Sequence, residues 1–266
     1  NAIVAVGMTF VVITGGIDLS VGSFLALSSV LVAILLKHDL DPSVAIVVGL
    51  IFGGILGLVN SLLITSRINT PPFIATLATM SMARGLTMVI TSGRPIYGLP
   101  PKFGFIGGGY IFGVPIPVII MVMVFIIGHV YLTFTAEGTY FYAVGGNPEA
   151  ARLSGINIGK VKTKAYFISG ITATIAGIVL ASRLTSVEPL SGNGYELDAI
   201  AAAVIGGASL SGGEGNLIGT FLGALIIGIL RNGLNMLNVS TYWQQVVIEL
   251  VIALTVEMGT FKKKRE

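Results

Sequence analysis

Apolar stretches of near-spanning length recur along this chain from one end to the other, and this recurrence restricts its folds more than any other feature. In hydrocarbon an unpaired backbone N–H or C=O has no water to turn to, so only helices and closed barrels cross. Ser43 to Thr65, Pro72 to about Ile90, Val114 to Phe134, Leu217 to Leu230 and Trp243 to Met258 read as helical segments. Several of them approach or exceed the roughly 20 residues that a crossing needs. Strand alternation is absent, which argues against a barrel. Charged residues are 10% of the chain and hydrophobic ones 54%, against roughly 25% charged in soluble domains. The expectation is an all-α polytopic transmembrane bundle of about nine apolar segments, forming one domain over residues 1–266. Asn1 already lies inside an apolar run, so the chain reads as lacking its true start.

Two of the segments are short and broken by paired glycines. Asn1 to Thr14 stops at Gly15–Gly16, and Asp18 and Ser20 precede the run Val21 to Leu36. Ala199 to Ile205 stops at Gly206–Gly207, and Ser209 and Ser211 precede a turn that ends at Gly215. GGIDLSVG at 15–22 echoes GGASLSGG at 206–213, which predicts a parallel internal repeat. Unwound backbone at membrane depth is tolerated where protein or a polar cavity satisfies it, so matched breaks point to a solute route. Gly15, Gly16, Asp18, Ser20, Asn60, Arg84, Gly206, Gly207 and Ser209 are the candidates for that route.

Each polar candidate also has a structural reading. Asp18 either lines the route or caps the helix after the first break. Arg84, about twelve residues into its helix, is too deep to snorkel easily and needs a partner inside the bundle. Asp18 and Glu249 are possible partners, and an ion pair or a clamp on helix carbonyls is the structural alternative to a pathway role. Asn60, Ser61 and Thr65 either line a polar route or hydrogen-bond between helices, and Gly49, Gly53, Gly54 and Gly57 form a small-residue face for close packing.

Charge sets the orientation. With the basic tail Lys262–Arg265 inside and one crossing per segment, the inner side holds nine Lys or Arg (Arg67, Arg152, Lys160, Lys162, Lys164, Lys262, Lys263, Lys264, Arg265). The outer side holds five, Lys37, Arg94, Lys102, Arg183 and Arg231, in accord with the positive-inside rule. The C-terminus is therefore placed in the cytoplasm, and with it the polar island GGNPEAARLSG at 145–155. Asn147 is a good N-cap and Pro148 suits the first helical position. Glu149 favours the positive end of the helix dipole, Ala150, Ala151, Arg152 and Leu153 propagate the helix, and Gly155 supplies a left-handed stop. A short capped helix about 147–155 is expected in water.

No phosphate-binding loop, HExxH or serine elbow appears, so the chain carries no nucleotide site or catalytic centre of those kinds. It has no cysteine, and the reading calls for no cofactor, no metal and no nucleic acid. The spacing EAAxxxG at 149–155, with GMTFVVITGGIDLSVGS, YAVGGNPEAARLSGINIGKVK and GYELDAIAAAVIGGASLSGGEGNLIGTFLGALIIGIL, resembles the inner-membrane permeases of ATP-driven, binding-protein-dependent sugar importers, in their ribose and related monosaccharide branch. The resemblance extends over essentially the whole chain. It implies a permease that dimerises in the membrane lipid, is driven by a separate ABC ATPase subunit, and receives sugar from an extracytoplasmic binding protein. It also implies that Asn147, Pro148, Glu149, Ala150, Ala151, Arg152 and Gly155 form the ATPase-coupling element. Family members begin with further membrane segments upstream of Asn1. A self-powered secondary transporter or channel, or a permease of the same family for an amino acid or nucleoside, is the alternative.

Overall fold

The computed structural model describes residues 1–66, 70–240, 242–248 and 250–251. In chain order its helices are α1 (Ala2–Ile13), α2 (Val21–Lys37), α3 (Pro42–Thr65), α4 (Pro72–Thr91), α5 (Pro101–Gly108), α6 (Ile116–Phe134), α7 (Ala136–Gly146), α8 (Pro148–Leu153), α9 (Ile158–Leu184), α10 (Tyr195–Ile205) and α11 (Leu217–Met236). A further helix occupies 242–248. Two antiparallel pairs of two-residue strands lie in the connections: β1 (Ile96–Tyr97) with β4 (Ser186–Val187), and β2 (Tyr110–Ile111) with β3 (Val114–Pro115).

The fold is the expected all-α polytopic bundle. Among the described residues five helices are long and apolar enough to cross a membrane, namely α3, α4, α6, α9 and α11. α1, α2 and α10 are the shorter pieces on either side of the glycine breaks. At 1.5 Å per residue α1 reaches only about 18 Å into a hydrocarbon layer of roughly 30 Å.

Helix α1 is buried from Ile3 to Ile13 and lies at the centre, against α6, α9, α10 and α11. On its other flank α9 packs on α2 and α3. The glycine face of α3 makes that approach possible: Gly53 sits against Thr174 and the Gly170 carbonyl, and Gly57 against the Tyr166 backbone. Lipid supplies no hydrophobic drive between helices, so such close backbone contact and dispersion hold the pair together.

Several element bounds differ from the sequence reading, α6 starting at Ile116 rather than Val114 and α11 running to Met236 rather than Leu230. The Gly- and Pro-containing stretch from Ser92 to Gly113 holds α5, which Pro101 opens at its first turn and which docks on α9 through Gly107, whose N–H donates to Ser182 Oγ at 2.7 Å. α7 is a separate helix, capped by Thr135 Oγ1 on the Gly138 N–H at 3.0 Å. α9 starts at Ile158, where Asn157 Oδ1 caps Lys160 N–H at 3.0 Å, so the lysines occupy its first turns despite the helix dipole. The cost of placing a charge in hydrocarbon keeps them at this end of the helix. α10 starts at Tyr195 rather than Ala199, because Glu196 and Asp198 suit the positive end of a helix. Arg67, Asn69, Glu249, Met258 and the basic tail lie outside the described residues.

Candidate functional site

The polar island folds as a helix with both ends closed. Asn147 Oδ1 accepts the Ala150 N–H at 3.0 Å, and Pro148 fills the first helical position. At the far end the N–H groups of Gly155 and Ile156 donate to the carbonyls of Arg152 and Ala151, both at 3.0 Å, with Gly155 at φ +82°. Arg152 Nη2 pairs with Glu149 at 2.5 Å, and that hydrogen bond holds the Glu149 carboxyl below the usual carboxylate range. Ala151 alone turns inward, joining Phe10, Val144, Val161 and Ala165. Glu149, Ala150, Arg152 and Gly155 face outward, and so does Leu153, 77% exposed. The sequence reading used Leu153 only to extend the helix. An aliphatic side chain that exposed on a polar helix is its one distinguishing signal.

The two glycine breaks meet. The Gly213 N–H donates to the Ile13 carbonyl at 2.9 Å, tying the turn after α10 to the end of α1. Gly15 has φ +74°, and Gly207, Gly212 and Gly213 also have positive φ, so the paired glycines do unwind both helices. Gly16 lies beside the Tyr166 side chain and Gly206 against the Gly219 backbone. Ser209 sits at the exposed rim, its hydroxyl 2.7 Å from that of Ser211.

The first break carries a buried polar network. Asp18 Oδ1 accepts from Ser20 N–H at 3.0 Å, Ser20 Oγ at 2.5 Å and Asn60 Nδ2 at 3.2 Å, and Oδ2 accepts from Ser169 Oγ at 2.7 Å. Asn60 Nδ2 also donates to Ser20 Oγ at 2.8 Å, and Asn60 Oδ1 accepts from Thr79 Oγ1 at 2.5 Å. Thr76 Oγ1 donates to the Ile17 carbonyl at 3.2 Å. Asp18, Ser20, Asn60 and Ser169 are 0% exposed, so helices α3, α4 and α9 together fix the break from within. Ser20, rather than Asp18, is the residue at the N-cap of α2.

Arg84 stands apart from this network. Its Nη1 donates to the carbonyls of Pro189 and Ser191 at 2.7 and 3.0 Å, in the connection that follows β4, and Glu196 is the acid whose charge it feels. The carbonyl clamp is therefore the geometry found. Asp18 does not serve it, and Glu249 lies outside the described residues.

A second charged group escaped the sequence reading. Arg231 Nη2 donates to both carboxylate oxygens of Asp198 at 2.9 Å, joining α11 to α10. The pair borders a cavity of about 440 Å³ lined also by Met121, Ala202, Ile227 and Asn232. The positions of Asp198 and Arg231 at the edges of apolar runs were the available signal, since charges at membrane depth seek a partner.

A helical bundle of crossing length, two broken helices joined at its centre and a capped helix presented outside it define a polytopic membrane transport protein. The chain belongs to the family described as branched-chain amino acid transport system / permease component, whose model matches residues 1–256. It is 53% identical over 258 residues to the ribose import permease protein RbsC of Bacillus subtilis, covering 96% of this chain and 80% of that one. It is 48% identical to the ribose import permease protein RbsC of Escherichia coli K12, over 99% of this chain and 83% of that one. It is 39% identical to the D-allose transport system permease protein AlsC of the same organism, over 99% and 81%. No solved structure matches it.

Proposed function

We propose that this chain is the membrane-spanning permease of an ABC importer that carries ribose, or a closely related sugar, across the cytoplasmic membrane into the cell. The observation that carries the reading is its 53% identity, over 96% of its length, to a ribose import permease. ATP is hydrolysed on a separate ATPase subunit, an extracytoplasmic binding protein delivers the sugar, and a second copy of the permease completes the route. The C-terminus and α8 lie on the cytoplasmic side. Residues 147–155 are the surface on which the ATPase acts, with Leu153 the apolar contact and Glu149 and Arg152 the flanking charges. The route runs beside the breaks at Gly15–Gly16 and Gly206–Gly207, with Asp18, Ser20, Asn60 and Ser209 positioning them and Arg84 fixing the connection that leads into α10.

The test is uptake of labelled ribose into proteoliposomes that hold the permease with its ATPase inside and the binding protein outside. Uptake should require ATP and both partners, and unlabelled ribose should compete better than D-allose or leucine. Uptake that persists without the ATPase would mean a self-powered carrier, and leucine as the best competitor would mean an amino-acid permease. Leu153→Asp should lower uptake at least ten-fold by placing a charge against an apolar docking contact.

A further inference from the structure

The last turn of α7, two residues before the Asn147 cap, touches both glycine breaks through bare backbone. A Cβ built on Gly145 would collide with the Ile13 carbonyl oxygen, and it would lie 2.5 Å from the Gly213 nitrogen. Those are the two atoms whose hydrogen bond joins the breaks. From the opposite side a Cβ on Gly212 would meet the Gly145 carbonyl at 2.8 Å and the Gly15 nitrogen at 2.9 Å, and one on Gly213 would meet the Gly146 Cα at 2.8 Å. Every obstacle named is main chain, which cannot change rotamer to make room. A side-chain strap runs in parallel: Tyr142 Oη donates to the Gly215 carbonyl at 2.9 Å, linking α7 to the end of the second break.

From this juxtaposition we infer that Gly145, Gly212 and Gly213, with the Tyr142–Gly215 hydrogen bond, form the mechanical joint that passes displacement of α8 to both broken helices at once. The inference rests on the coupling role proposed for α8. A lever needs a contact without slack. The contact between α7 and the breaks is backbone against backbone, whereas a side-chain contact would absorb part of the motion by changing rotamer. The joint also explains how one short helix acts on two breaks that are almost two hundred residues apart in sequence. The Gly213–Ile13 bond makes them one body at that point. Gly145 and Tyr142 are thus positioning residues for transport, acting through the breaks and not on the sugar.

The experiment uses the reconstituted complex with its ATPase and binding protein, and reads ATP hydrolysed per sugar imported. Tyr142→Phe removes one hydrogen bond and leaves the ring in place. The ratio should rise about five-fold, the equilibrium weight of a typical hydrogen bond, with hydrolysis still stimulated by the binding protein. Gly145→Ala should lose uptake altogether while the ATPase still co-purifies. Gly108→Ala, at a position where a Cβ meets nothing within 4 Å, should match wild type. A wild-type ratio in Tyr142→Phe overturns the inference, as does a proportional fall of uptake and hydrolysis, which would make the joint a holder of the fold alone. Tyr142→Phe decides the matter if Gly145→Ala does not assemble. Loss of wild-type ribose uptake would instead count against the proposed function.

Discussion

Replacing Asp18 by asparagine and by leucine separates a structural acceptor from an ionising pathway group. Four hydrogen bonds reach the carboxylate, three on Oδ1 and one on Oδ2, and in every one Asp18 accepts. In Asp18→Asn the amide oxygen can keep the Oδ1 position and its three donors. The new NH2 group faces Ser169, whose hydroxyl can turn to accept. Bonds to a charged acceptor weaken to neutral ones, but a buried charge is also removed, so the net cost should stay near 1 kcal/mol. In Asp18→Leu the Ser20 N–H and hydroxyl, the Ser169 hydroxyl and one Asn60 proton lose their acceptor at 0% exposure. At about 1–3 kcal/mol for each orphaned donor, the loss is roughly 4–12 kcal/mol. For a chain of this size 1 kcal/mol shifts Tm by about 2–4 °C, so the asparagine variant should melt within about 4 °C of wild type and the leucine variant more than about 8 °C lower. Both quantities are measured on the purified permease, as Tm in detergent and as uptake in proteoliposomes. Asparagine should retain transport. If it melts normally and yet transports nothing, the charge of Asp18 acts in the route and the acceptor argument is wrong. An unshifted Tm in the leucine variant would equally refute it.

Three further outcomes follow from the same geometry. Asn147→Ala removes the cap on the Ala150 N–H and should cost α8 about 1 kcal/mol, read as several-fold weaker co-purification of the ATPase. Aspartate at the same position should restore it. Arg84→Met leaves the Pro189 and Ser191 carbonyls without their donor and should lower Tm by several degrees, whereas Arg84→Lys, with a single ammonium in place of the planar fork, should recover only part. Glu137 is held below its ordinary pKa first by the hydrogen bond from Lys164 and then by that from Tyr131, and Glu149 by Arg152. For depressed carboxyls the contribution is complete at neutral pH and is lost as pH falls below the ordinary value. Tm should therefore stay flat between about pH 6 and 8 and decline below about pH 4, and a midpoint near 6.5 would show that another group governs it.

What the sequence disclosed and what it concealed divide along the range of the interaction. Asn147, Pro148 and Gly155 determine α8 through contacts within one turn, so its ends could be read directly from the residue types. The breaks at Gly15–Gly16 and Gly206–Gly207 were visible for the same local reason, because only glycine takes the positive φ found at Gly15 and Gly207 without strain. Asn60 and Asp18 were each noticed as polar residues in apolar surroundings. Their being bonded to one another depends on α3 packing against α2 and on α9 bringing Ser169, which no local pattern encodes. α5 and α7 were missed because an eight-residue helix with three glycines and an eleven-residue one with three more fall below any apolar length signal. The Asp198–Arg231 pair joins two helices that pack only after the second break has turned the chain.

The two breaks are built differently, and the difference assigns them different parts in transport. The first is held by side chains of three helices: Asn60 from α3, Thr76 from α4 and Ser169 from α9 all bond to residues 17–20. Moving it apart from those helices would require several buried hydrogen bonds to exchange partners together, at a cost of several kcal/mol with no water at hand. The second is held mainly by its own turns, Gly212 N–H to the Ser209 carbonyl at 2.9 Å and Ser209 N–H to the Glu214 carbonyl at 3.1 Å, and by its ties to Ile13 and Tyr142. Its internal bonds move with it, so it can swing as a unit about the α7 contact. Both breaks therefore take up the push at the joint, the first moving only together with α3, α4 and α9, and the second acting as the arm that swings further. Spin labels at Ser209 and at Ser66, which lie on the rim of the second break and at the end of α3, should change separation between the nucleotide-free and ATP-bound complex. A pair at Ser66 and Ser154 should report the motion of α8. If the first pair stays fixed while the second moves, the second break is not the arm.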